Sequence, residues 1–168
     1  MMKKLVTSLL AALAIAAPAQ AGTVEADQLL GMIESTGTTI SFNSNKFDPD
    51  CAAGKAGYYV FEAKVQDLFV VCKENINVKD GDELWETVSH EATHVMQACN
   101  GGLVFEESYL PRTFRELDRK APHYSKLIND QYTGAAATHE AEAFWMELQP
   151  PADVLAYFEQ ACLKEKKS

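Results

Sequence analysis

The hydrophobic pattern changes its period several times along this chain. Leu5 to Ala17 is an apolar run of 13 residues. Residues 25–35 carry Leu29, Met32 and Ile33 at helical spacing, and Gly37 follows as a stop. Thr38-Thr39-Ile40-Ser41-Phe42 alternates and contains β-branched residues, which predicts a short strand. The stretch from Asn43 to Gly57, rich in Asn, Asp, Gly and Pro, reads as loop. Tyr58 to Lys64 and Leu68 to Cys72 flank Val65-Gln66-Asp67 and predict a β-hairpin. Residues 83–99 form the best-defined helix, with Asp82 as its N-cap and Asn100-Gly101-Gly102 at its end. Beyond Pro111 the pattern is helical: a weak segment over 112–120, then 122–131 and 135–149, and 152–165 after the Pro150-Pro151 break. Strands precede helices with no repeat or linker, so the expected class is α+β in one domain.

The amino terminus changes where that domain begins. Met1-Met2-Lys3-Lys4 is a short positive segment ahead of the apolar run, Pro18 breaks that run, and Ala19-Gln20-Ala21 has the small-x-small form of a cleavage site. A run of 13 residues falls short of the roughly 20 that span a bilayer. Residues 1–21 are therefore read as a bacterial signal peptide cleaved after Ala21, and 22–168 as a single secreted or periplasmic domain with no membrane anchor.

Charge narrows the partners. The chain holds 15 Lys+Arg against 24 Asp+Glu, a formal charge of −9. Losing Lys3 and Lys4 removes no acid, so the exported form is more acidic still. Nucleic acid and anionic lipid both require a basic face, and neither is expected as a partner. Export also governs the cysteines: Cys51, Cys72, Cys99 and Cys162 are even in number and contain no C-x-x-C pair. In an oxidising compartment they read as two disulfides, with Cys51–Cys72 and Cys99–Cys162 favoured among three connectivities. The alternative is that some are free, buried small hydrophobes.

The candidate chemistry lies in His90-Glu91-Ala92-Thr93-His94, an HExxH motif on the best-defined helix. Residues four apart share a helix face, so two imidazoles can grip one Zn²⁺ at about 2.0–2.1 Å while Glu91, on their flank, acts on a water. At roughly 100° per residue from Leu84, the residues Val88, Val95, Cys99, Ala92, Trp85 and Met96 fall within about 120°, whereas His90 and His94 fall near about 240° and 280°. The core stripe is filled without the histidines. Gln97 shares their face and either lines a cleft or is solvated.

A catalytic zinc site needs a third protein ligand. Gln97 and Asn100 exclude the HExxHxxGxxH pattern. The later run Thr138-His139-Glu140-Ala141-Glu142-Ala143-Phe144 offers carboxylates on a second helix. With HExxH followed by such a Glu, residues 83–148 resemble the gluzincin branch of the zincin metallopeptidases. The resemblance implies Glu140 as third ligand, since Ala143 supplies the small residue at its +3 position, with Glu142 as runner-up and His139 as a further option. It departs from the pattern at Phe144, where the family often has an acid that orients a ligand histidine, so the orienting group must come from elsewhere, Glu142 or a backbone carbonyl among the options. The implied fold is zincin-like, a small N-terminal sheet packed on the HExxH helix, with hairpin 58–72 offering an edge strand to an extended substrate.

The implied activity is peptide-bond hydrolysis, with Zn²⁺ as cofactor, Glu91 as general base, and a peptide or protein substrate. Tyr132, His123, Tyr124 and Tyr109 are candidate donors to the oxyanion. The acidic surface ranks hydrolysis of anionic wall polymers below proteolysis. Trp85, Phe144 and Trp145 read as core, and Lys164-Glu165-Lys166-Lys167 as a solvated end. The alternative from another class is a catalytically inactive zincin-like metal-binding or interaction domain stabilised by disulfides, against which an intact Glu91 argues. A third reading treats the motif as coincidence in a disulfide-stapled domain.

Overall fold

The computed structural model describes residues 21–164. All but the last residue of the segment read as a signal peptide, and the final lysines, lie outside the described residues. The described chain is α+β, with a three-stranded sheet and seven helices. Helix α1 (Ala21–Ser35) leads into β1 (Thr39–Asn43), α2 (Pro49–Ala52), β2 (Gly57–Glu62) and β3 (Gln66–Cys72). The HExxH helix α3 (Gly81–Asn100) follows, then α4 (Leu110–Lys120), α5 (Pro122–Gln131), α6 (Gly134–Glu147) and α7 (Pro151–Phe158). A π turn over Glu159–Leu163 continues α7, where the sequence suggested a single helix to 165.

The hairpin forms, with Tyr59 opposite Phe69 and Glu62 opposite Gln66. Its turn falls at Ala63-Lys64-Val65, where Lys64 takes a positive φ of 67°, and not at Val65-Gln66-Asp67: Gln66 and Asp67 pair within β3. Strand β1 adds parallel to β3, Ile40 pairing with Phe69, so β3 is central and β2 is an edge. A central strand is covered on both faces, which is why Leu68-Phe69-Val70-Val71-Cys72 is apolar without alternation. Phe69 and Val71 face α3 in the main core, whereas Val70 and Cys72 pack with Cys51 on the other face. The stretch read as loop contains α2, whose start is set by Asp48: its side chain accepts from the Asp50 and Cys51 amides, and Pro49 occupies the first turn.

Helix α3 is capped by Asp80 rather than Asp82. Asp80 accepts from the free amides of Asp82 and Glu83, which lie within the first turn. At the other end Gly101 takes the left-handed conformation (φ 71°), and the Gly101 and Gly102 amides return to Ala98 and Gln97. Leu84, Trp85, Val88, Ala92, Val95 and Met96 are buried against Leu29 and Ile33 of α1, β3, and Val154 and Phe158 of α7. The stripe assigned from periodicity is thus the core face. A second cluster, Leu117, Ile128, Ala141 and Trp145, packs α4, α5 and α6 together beside it.

The disulfides are Cys51–Cys72 and Cys99–Cys162, the favoured pairing. They close separations of 21 and 63 residues. Chain-entropy reasoning assigns them about 3 and about 4 kcal/mol of stabilisation. Two disulfides suit an oxidising compartment. Among the described residues no helix is long and apolar enough to cross a membrane.

Candidate metal centre

The face of α3 opposite its core stripe forms the floor of a cleft of about 660 Å³. Residues 54–59 line one side, and α5 and α6 contribute Tyr124, Leu127 and Phe144. Into this cleft α3 presents His90 and His94 one turn apart, and α6 presents Glu140. One ligand atom from each of the three lies within 4.8 Å of the others. Nε2 of His90 is 3.4 Å from Glu140 Oε2, and Nε2 of His94 is 3.7 Å from Glu140 Oε1. Ligand atoms at about 2.0–2.2 Å around a tetrahedral ion stand roughly 3.3–3.6 Å apart, so the donor set suits a small divalent cation without large movement. Two imidazole nitrogens and one carboxylate leave a fourth position open.

Each histidine is oriented by its other nitrogen. His90 Nδ1 is 2.6 Å from Glu147 Oε1, and His94 Nδ1 is 2.8 Å from Gln97 Oε1. Gln97 is 5% exposed, and its orientation is unambiguous. Its Nε2 donates to the His139 carbonyl at 3.0 Å and to Glu142 Oε2 at 3.1 Å, so Oε1 must face His94. An accepting oxygen there requires a proton on His94 Nδ1 and leaves the Nε2 lone pair for the metal position. Glu142, in turn, accepts from the Val104 and Phe105 amides at 2.8 and 3.0 Å. One carboxylate therefore pins the loop after α3, α6 and the hydrogen-bond partner of His94.

The rings differ electrostatically. Burial opposes charge on His90, but Glu140 and Glu147 on its two nitrogens raise its pKa to about 10. Burial and the neighbouring His90 lower that of His94. Burial disfavours the Glu140 carboxylate, yet His90 and His94 hold it below its ordinary value. Glu91 is 8% exposed and its carboxylate accepts no hydrogen bond from the described residues. Desolvation, against an offset from His90, lifts it to about 7. A cation bound between the rings would displace the proton on His90 and add positive charge beside Glu91.

The structure sorts the sequence candidates. His90, His94 and Glu140 converge. The runner-up, Glu142, is 1% exposed and spent on Gln97 and the 104–105 amides, and His139 turns back to donate to the Ala135 carbonyl at 2.7 Å. Of the four oxyanion candidates, Tyr132 and Tyr124 line the cleft, whereas Tyr109 and His123 do not. Phe144 is not simply core: it lines the cleft and meets the His90 ring edge-on at 4.6 Å. The acid missing at its position is replaced by Glu147, seven residues after Glu140 and so on the same face of α6. Helical spacing could have revealed Glu147. Gln97 was legible only as sharing the histidine face.

Gly57 brings the sheet against this site. A Cβ there would stand 2.8 Å from the Val70 carbonyl oxygen, 3.0 Å from Thr87 Cγ2 and 3.1 Å from Glu91 Cγ. Only glycine lets β2 and α3 approach so closely. Searches of curated proteins and of solved structures return no match. A family model described as domain of unknown function (DUF8637) matches residues 22–163, a span enclosing the HExxH helix, Glu140 and both disulfides. That match covers most of the chain, which belongs to the DUF8637 family.

Proposed function

We propose that this protein is a zinc-dependent peptidase of zincin type, exported to an oxidising compartment. The observation that carries the reading is the convergence of His90, His94 and Glu140 in a cleft whose unpaired buried carboxylate is Glu91. Zinc held by the three ligands would supply Lewis acidity, polarising a scissile carbonyl and lowering the pKa of a water. Glu91 takes that water's proton and later delivers it to the leaving amine. Tyr132 lines the same cleft, and burial together with Glu140 and Glu91 pushes its hydroxyl pKa up. It therefore stays protonated and donates to the oxyanion that forms at the carbonyl. Edge strand β2, paired only to β3 and lining the cleft through Gly57 to Tyr59, receives the extended substrate by strand addition. Glu147 and Gln97 hold the imidazoles in place throughout.

Glu91→Gln tests this directly. Peptide cleavage should fall by at least about a hundredfold, the lower end of the range for a lost general base, while zinc content and melting temperature stay near those of the unmutated protein. Cleavage that survives in Glu91→Gln would overturn the mechanism. Zinc binding with no cleavage of any peptide by the unmutated protein would favour a non-catalytic metal-binding domain.

A further inference from the structure

The cleft runs past the ligand set. Glu86 lies on α3 one turn before His90 and lines the cleft, and among the described residues its carboxylate is in no hydrogen bond or ion pair. Across from the α3 floor, α5 contributes Tyr124, Leu127 and Gln131, three residues on one helix face. The Tyr124 ring stacks on Phe144 with centroids 4.5 Å apart, making an apolar wall next to the His90 ring. An aromatic and aliphatic wall ending at a free carboxylate has the form that takes a long side chain with an apolar stem and a charged head. No other cleft acid is free for this: Glu140 bridges the rings, Glu147 holds His90, and Glu91 is the base. Lys55, the lysine lining the cleft, is engaged by Asp50 at 2.7 Å.

We infer that this end of the cleft is a side-chain subsite for a lysine or arginine of the peptide substrate, with Glu86 as the residue that selects it. The inference rests on the peptidase reading for the word substrate, but not for the binding it describes. Two further observations support it. The buried, unpartnered Glu91 marks the cleft as built to hold a ligand, and the surroundings of Glu86 are short of positive charge. Glu86 is exposed at the cleft mouth, yet partial desolvation, with Glu147, Asp82 and Glu83 nearby, raises its pKa, and only His123 is set against them. A carboxylate so placed gains from an arriving cation more than an isolated one does.

The test uses labelled peptides in which one arginine, or citrulline as its neutral isostere, is stepped through an alanine-glycine host. Binding is read by fluorescence anisotropy on zinc-supplemented Glu91→Gln protein, and cleavage is read separately on the unmutated protein. At one position arginine should bind about tenfold more tightly than citrulline, as for a charge-assisted contact in a partly exposed groove. The ratio should fall close to one in the Glu86→Gln/Glu91→Gln protein, and Glu86→Lys/Glu91→Gln should favour a glutamate peptide instead. Equal binding of arginine and citrulline peptides at every position, or a preference that survives loss of Glu86, overturns the inference. A Glu86-dependent preference without cleavage by the unmutated protein would uphold the subsite and refute the peptidase reading. Cleavage with no preference would do the reverse.

Discussion

Replacing Gln97 with alanine removes the one side chain that ties the metal position to the buried polar network behind it. Three hydrogen bonds go: from His94 Nδ1 at 2.8 Å, to the His139 carbonyl at 3.0 Å and to Glu142 Oε2 at 3.1 Å. Glu142 keeps the Val104 and Phe105 amides, so its charge remains compensated. The fold should therefore survive with a cost of about 1–3 kcal/mol, the penalty for unpaired buried polar atoms. His94, in contrast, loses the acceptor that fixes its proton on Nδ1 and its ring angle. Loss of such an orienting partner lowers metal affinity by about 10–100-fold, or about 1.4–2.8 kcal/mol. The two effects separate in two assays. Competition with a chromophoric chelator gives the zinc affinity, and melting with and without zinc gives the stability of each form. The zinc-induced stabilisation should shrink by the amount that the affinity falls. A Gln97→Ala protein that melts lower but binds zinc within about threefold of the unmutated protein would refute the orienting role.

Two further substitutions probe the supports of the cleft. Gly57→Ala forces a methyl to within 2.8 Å of the Val70 carbonyl oxygen and 3.1 Å of Glu91 Cγ, so β2 must lift from α3. It should cost about 1–3 kcal/mol in chemical denaturation and reduce cleavage while zinc stays bound, and an unchanged melting temperature would contradict the close approach. Asp48 caps α2 and binds Asn43 and Tyr58, contacts that lower its pKa to about 2. A folded-state pKa below the unfolded value of about 3.9 adds stability above about pH 4, which is lost as pH falls through about 2. The stability gap between the unmutated protein and Asp48→Asn should close over that window, and a constant gap would show that the carboxylate charge contributes nothing.

What could be read from the sequence divides along the range of the interactions. Helix α3 was legible because Leu84, Val88, Ala92 and Val95 repeat at helical period, and the same arithmetic set His90 and His94 on the other face. The hairpin was legible from its two β-rich runs, though not its turn, which lies two residues earlier because Lys64 takes the left-handed conformation. Both disulfides match the favoured cysteine pairing. Strand β1 beside β3 was not legible, because a parallel pairing carries no local turn signal. Helix α2 was masked by the loop-like composition around Asp48-Pro49, although an N-cap followed by proline is itself a start signal. Within the site, Glu140 came from a motif, whereas the roles of Glu147, Gln97 and Glu142 depend on how closely α6 approaches α3. Gly57 beside a strand looks like any turn glycine until the helix behind it is known.

The central claim is that His90, His94 and Glu140 hold a single zinc ion, and elemental analysis of the purified protein after zinc supplementation tests it most directly. About one zinc per chain is expected, with close to none in His94→Ala or Glu140→Ala, because two remaining ligands cannot hold the ion against a chelating wash. Zinc retained by Glu140→Ala would contradict the ligand set, and an unmutated protein that takes up no zinc would contradict the metal centre itself.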